Sequence, residues 1–243
     1  HRIAVERSLA YIELDGFFRV QKKEFGSNHK YRAEGMLAVA IDHLLSREME
    51  PQLHSHALVM NGGLIPGEDR IRSADFKRIY DHQAHLDRVY KSHLRAALAA
   101  RGYPTRTTET GFELASVSET QIGAFSSAKG KLDAALAIRG KGRTDSTAKE
   151  RQQVNKAIRK KKKEIADEAA LRQGWDDRAR AIELCLPQPD PTGTALAPPD
   201  AVGSWVEREV LAMMAEQVLV TRLELFDRVL QNLQQADVIV EPG

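Results

Sequence analysis

The run DHLLSREMEPQLHSHALVMN, residues 42–61, holds three histidines, His43, His54 and His56. Imidazole binds divalent cations and exchanges protons near neutrality, so three rings close in sequence raise the question of a metal site. His54 and His56 are two residues apart, and on an extended strand such residues point to one face, roughly 6.6 Å apart along the backbone. Leu58 and Met60 continue that face. His43 ends an apolar segment, Met36–His43, on the face of Leu37, Val39 and Ile41. If the two segments lie side by side, the three imidazoles can converge on one ion, with bonds to nitrogen of roughly 2.0–2.1 Å if it is zinc-like. Three protein ligands leave coordination positions open, as a catalytic or substrate-binding ion requires. A close histidine pair also occurs on ordinary strands as core or surface residues, so its surroundings must decide.

A ligating histidine usually donates its other ring N–H to a carboxylate or carbonyl, and Asp42 and Glu50 are the nearby acids. Glu50 could equally cap the turn before Pro51. Arg47, in the connection between the two segments, could fork onto a phosphate or pair with Glu48 or Glu50. Between Lys141 and Lys163 there are ten Lys or Arg against two acids, and the run Arg159, Lys160, Lys161, Lys162 and Lys163 is either a solvated helix face or a patch that tracks DNA phosphates. His29, His82, His85 and His93 read as surface residues, and Tyr11 and Tyr90 as core or helix-surface residues.

The elements that would position these side chains follow from periodicity. Ile3, Leu9, Ile12 and Leu14 predict a helix over 1–14. Val20–Asn28 reads as a short strand and polar loop. Met36–His43 is expected as a buried strand and Gln52–Asn61 as a second, closed by Gly62–Gly63. Ser73–Arg101 fits one long or broken helix, residues 102–117 extended segments forming a hairpin, and 119–138 helix again. A Pro-rich stretch, LPQPDPTGTALAPPD at 186–200, predicts a linker between residues 1–185 and two amphipathic helices in 201–243.

The 243 residues are 42% hydrophobic and 29% charged, which is globular composition. A single cysteine, Cys185, excludes a disulfide framework and a cysteine-based zinc module, and fits a reducing cytosol. No stretch approaches the ~20 apolar residues of a membrane span. No GxxxxGK[ST] phosphate loop occurs. The chain opens at His1, already in helical pattern and without Met, as a piece of something longer would.

The order His43, Ser46, Arg47, Glu50, Pro51, Gln52, Leu53, His54 and His56, with Val59 and Asn61 beyond, resembles the three-histidine signature of conjugative relaxases of the relaxase–helicase type, within the HUH endonuclease superfamily. The stretches RIRSADFKRIYDHQAHLDRVYKSHLRAALAARGYPTR and GFELASVSETQIGAFS resemble the segments that follow it. Where that family places an arginine soon after Phe-Ser, this sequence has Ala128, with Lys129 and Lys131 nearby.

The resemblance implies an α+β fold, an antiparallel sheet with packed helices, lacking its first strands here. Residues 1–185 would be a partial relaxase domain and 201–243 the helical start of a helicase-type region. It implies nicking and rejoining of single-stranded plasmid DNA at a transfer origin by a tyrosine expected upstream of His1, so that no catalytic residue is assigned in this chain and the chain alone would not nick. His43, His54 and His56 would hold Mg2+ or Mn2+, with Zn2+ or Ni2+ possible in vitro. The helicase portion and the conjugation machinery would be partners, in a bacterial cytoplasm. A non-catalytic single-stranded DNA-binding module and a rolling-circle replication initiator stand as alternatives. The initiator usually lacks the upstream His-x-x-Ser-Arg.

Overall fold

The structure is a computed structural model and describes residues 1–158, 167–190, 199–216 and 221–239. Its elements are α1 (Arg2–Leu14), β1 (Arg19–Glu24), β2 (Ser27–Arg32), β3 (Ala38–Leu45), β4 (Pro51–Val59), β5 (Ala74–Asp75), α2 (Lys77–Asp81), α3 (Gln83–Ala99), β6 (Thr105–Thr108), β7 (Gly111–Leu114), α4 (Glu119–Ala124), α5 (Ser127–Ala137), α6 (Ala148–Ile158), α7 (Glu168–Ala181), α8 (Pro199–Glu216) and α9 (Arg222–Gln235). The strands form three antiparallel groups, β2-β1-β5, β3-β4 and β6-β7. The chain gathers into two compact units: residues 1–41, 55–115 and 188–243 in the first, 42–54 and 116–187 in the second. This division runs differently from a boundary at 186–200, since α8 and α9 group with α1 and α3.

In the first unit, Phe18, Val20, Ala33 and Ala74 are buried, with Ile12, Tyr31, Met36, Val59 and Phe76 packed around them. Gly63 is required there: a Cβ would stand 2.8 Å from the Phe18 ring and 3.2 Å from Ala33 Cβ. The segment expected as a short strand and loop is instead the hairpin β1–β2. Its turn puts Phe25 at φ 50° and Gly26 at φ 82°, the left-handed pair that tight two-residue hairpins use.

Helix α3 buries a stripe of His85, Val89, Ser92, His93, Arg95, Ala96 and Ala99. The reading of His85 and His93 as surface residues is therefore corrected: they are 3% and 5% exposed. His85 is held on both sides, by the Tyr11 hydroxyl at Nε2 (2.8 Å) and by Asp227 Oδ1 at Nδ1 (2.9 Å). Burial outweighs the Asp227 contact and pushes the His85 pKa down, so the ring is neutral near pH 7. Arg95, 4% exposed, joins α3 to Thr105 Oγ1 (2.9 Å), Thr107 and Asp237.

The excursion into residues 116–187 departs from and returns to one turn. Ala115 N donates to Pro104 O (3.0 Å), and Asp190 N donates to Gly102 O (2.7 Å). Gly102 lies at φ 74°, and a Cβ there would stand 2.2 Å from Asp190 O. In the second unit, α5 and α6 bury Leu132, Leu136 and Val154 against each other. The run Arg159–Lys163 lies outside the described residues.

Strand β3 departs from its expected burial. Val39, Ile41 and neighbouring Leu37 are 56%, 43% and 56% exposed, as are Leu58 (60%) and Met60 (54%) on the second segment. A fully buried strand needs cover on both faces, and among the described residues β3 pairs only with β4 and leaves these side chains open.

Candidate metal centre

The connection between β3 and β4 is a closed turn. Ser46 N donates to Glu50 O (2.9 Å), and Ser46 Oγ accepts from Glu48 N (3.2 Å) and Glu50 N (3.1 Å). Met49 takes φ 64° to complete it. Pro51, which has no N–H to give a ladder, sits at the first position of β4, where none is needed.

Glu50 is 3% exposed at this turn. Its carboxylate accepts from Ser127 N (3.1 Å), from Ser127 Oγ and from Arg178 Nη1 (3.2 Å). Trp175 Nε1 donates to Met49 O (2.9 Å), and Lys131 ion-pairs with Glu48. The turn is thus gripped by α5 and α7 within the second unit. Arg178 also lies over the Phe125 ring, 5.2 Å from its centre. A cation thus comes from α7 to the neighbourhood where the resemblance places an arginine and this chain has Ala128.

The His43 and His54 rings face each other, centroids 5.4 Å apart and planes 24° from parallel. His54 Nδ1 meets Gln52 O at 3.0 Å. A carbonyl only accepts, so Nδ1 carries a proton. The partner that fixes the His54 tautomer is therefore a backbone carbonyl two residues away, while Glu50 is occupied by Ser127 and Arg178. Asp42 adjoins His43 on β3, and strand alternation puts it on the opposite face. His56 follows His54 on its face of β4. Between them, on the other face, Ser55 Oγ is bound to His1 Nε2 (2.7 Å), whose Nδ1 meets the Tyr90 hydroxyl (2.8 Å).

Among the described residues no three His, Cys, Asp or Glu side chains are gathered closely enough to hold an ion. The two facing imidazoles nonetheless bring two nitrogen-bearing rings together on neighbouring strands, the donor chemistry a divalent ion takes. Arg47 is exposed at the turn. Its possible acidic partners, Glu48 and Glu50, are engaged by Lys131 and Arg178. Sequence reasoning missed Gln52 O, Ser127, Lys131, Trp175 and Arg178. Of these, Gln52 stood in the histidine motif and Lys131 near Ala128, without the roles found for them.

Residues 1–182 match the family model described as TrwC relaxase. The chain belongs to the TrwC relaxase family. Within it, the conjugative relaxase TrwC in complex with oriT DNA, in a metal-free structure, superposes with a TM-score of 0.70 at 27% identity, covering 75% of this chain and 62% of that one. A copper-bound structure of the same relaxase with oriT DNA gives 0.69 at 27% identity, covering 75% and 61%. The multifunctional conjugation protein TraI of Escherichia coli (strain K12) is 29% identical over 112 residues, 43% of this chain and 6% of TraI. This chain thus spans less than two thirds of these relatives. Its mixture of helices with antiparallel strands is the TrwC relaxase fold. No helix among the described residues is long and apolar enough to cross a membrane.

Proposed function

We propose that this chain carries the cation-binding part of a conjugative relaxase, in which His43, His54 and His56 hold a divalent ion against the scissile phosphate of single-stranded DNA at a transfer origin. The observation that carries the reading is the facing His43–His54 pair on neighbouring strands of a TrwC-family chain. Bound there, Mg2+ or Mn2+ would supply Lewis-acid withdrawal of charge from the non-bridging phosphate oxygens. Three neutral nitrogens favour zinc, nickel or copper on affinity, whereas phosphate oxygens favour the harder ions.

The chain's own residues do the positioning. Gln52 O fixes the His54 tautomer, so Nε2 is the ligating atom. His56 supplies the third nitrogen from the same face of β4, and His1 steadies the strand between them through Ser55. Glu50, anchored to α5 and α7, keeps the turn closed and with it the register of the two histidine strands. Arg47 offers a two-pronged donor to a neighbouring phosphate, and Arg159–Lys163 a further basic track.

The nucleophile is a tyrosine of the parent protein: its phenolate attacks phosphorus, releases the 3′ oxygen, and leaves again when the strand is rejoined. None of the five tyrosines of this chain is assigned that role, and for the chain in isolation the second reading is a cation-dependent single-stranded DNA-binding module. The helicase portion of the parent and the conjugation machinery complete the set of partners, in the bacterial cytoplasm.

Titration calorimetry with Mn2+ tests the site. One ion should bind per chain, and EDTA should weaken binding of a fluorescent single-stranded oligonucleotide. Absence of cation uptake refutes the proposal. In a plasmid-nicking assay the chain alone should form no covalent DNA adduct, and an adduct would return the nucleophile to one of its own tyrosines.

A further inference from the structure

The first compact unit contains a cavity of about 140 Å³ with an aromatic wall and a basic rim. Tyr11, Phe17 and Phe226 make the wall, with Phe17 and Phe226 centred 5.6 and 5.9 Å from Tyr11. Arg78 and Arg222 line it beside Asp15.

Both arginines hold charge that the protein does not fully answer. The Arg78 guanidinium lies 5.0 Å from the Phe17 ring centre, and its Nε is buried with no hydrogen-bond partner among the described residues. A buried donor without an acceptor is costly, and burial is the largest cause lowering the Arg78 pKa. Arg222 touches Asp15 at only 3.4 Å, with 89% of its side chain exposed. An ion pair that open and that long holds weakly.

The cavity is smaller than the roughly 300 Å³ at which pockets for drug-sized ligands begin, and suits one planar ring. Aromatic side chains stack on a nucleobase whatever its sequence, and arginine forks onto phosphate. Asp15 supplies an acceptor for a base N–H. Walls, charge and size together describe a nucleotide rather than a simple anion, for which an aromatic wall would be superfluous.

We infer that this cavity is a subsite for one nucleotide of single-stranded DNA, its base against Tyr11 and Phe226, its phosphate on Arg78 and Arg222, with the buried Phe17 ring (1% exposed) backing Arg78. The inference rests on the DNA-handling reading above, and it adds a point of strand capture that the histidine site does not include. Leu223 closes part of the lining, so a larger residue there should block entry.

The test uses the full chain and a short single-stranded oligonucleotide carrying 5-iodouracil. Ultraviolet cross-links should map to the peptides holding Tyr11 or Phe226. Arg222→Glu, at an exposed position, should weaken binding roughly tenfold and make the dependence of log affinity on log salt shallower by about 0.7, the share of one phosphate contact on a single strand. Leu223→Trp should abolish the cross-link, with a thermal melt to verify folding. If the oligonucleotide binds, but Arg222→Glu binds equally well and the cross-links lie elsewhere, the subsite is wrong and the DNA-handling reading stands. If the unaltered chain binds no oligonucleotide, both fall. If thymidine monophosphate occupies the cavity and the oligonucleotide does not displace it, the cavity serves free nucleotides and the inference is overturned.

Discussion

His54 and His85 show how one residue type is put to two uses. Both turn Nδ1 toward an oxygen, but His54 uses the carbonyl of Gln52, two residues away on a half-open strand. His85 uses Asp227, 142 residues away, and gives its other nitrogen to Tyr11, beneath the Phe17 ring. A ring engaged at both nitrogens and buried at 3% exposure is a packing element. His54, oriented by its own strand and facing His43 at 5.4 Å, is the ring proposed above as a ligand. The telling difference is the origin of the partners, local for the ligand candidate and remote for the structural ring.

The largest effect expected from breaking that contrast is on cation uptake. His43→Ala and His54→Ala should weaken Mn2+ or Zn2+ binding by about a hundredfold or more in calorimetry, since each removes one of three nitrogen donors, while leaving chemical denaturation nearly unchanged. His85→Ala should do the reverse, destabilising the fold by about 2–3 kcal/mol through loss of packing and an unpartnered Tyr11 hydroxyl, without altering cation uptake. Equal behaviour of the two variants would erase the distinction.

Glu50→Ala should cost about 2 kcal/mol in urea denaturation, because Ser127 N and the Arg178 guanidinium lose a buried acceptor. Cation affinity should fall with it if the turn sets the strand register. Gly63→Ala, with no polar group involved, should cost about 1–3 kcal/mol through overpacking against Phe18.

The smallest effect is with pH. His85 and His93 have folded pKa values below the ordinary histidine value, so between the two the unfolded chain binds more protons. Stability is then full above about pH 6.5 and declines as pH falls below it, and melting temperatures across pH 5–8 should show that slope. Asp227 beside His85 adds its own loss only at lower pH, its pKa being depressed in part by its ion pair with Arg88. His85→Gln should flatten the slope.

Much of this was legible because it is local. Periodicity marks α1 and α3, alternation and Gly62–Gly63 mark the histidine strands, and Gly111 marks the β6–β7 hairpin. The β1–β2 hairpin was hidden because RVQKKE and SNHKYR are too charged to alternate and its turn uses Phe25–Gly26 rather than Asn-Gly. The burial of His85 and the grip on Glu50 were hidden for another reason. Asp227, Ser127 and Arg178 lie 142, 77 and 128 residues from the groups they hold, and no window along the chain registers such pairs. The openness of MLAVAI was illegible too, since apolar composition states a preference for cover, not its presence.

The turn at Gly102–Pro104 carries a consequence for how such a chain can change over time. Ala115 and Asp190 are both tied to it, so the excursion through 116–187 behaves as a graft with adjacent roots. Lengthening such a graft is thermodynamically mild, about 0.6 kcal/mol per doubling for a flexible loop. Differences in length between its roots are therefore mild for the host, provided residue 102 stays without a side chain and the helices that hold Met49 and Glu50 are kept.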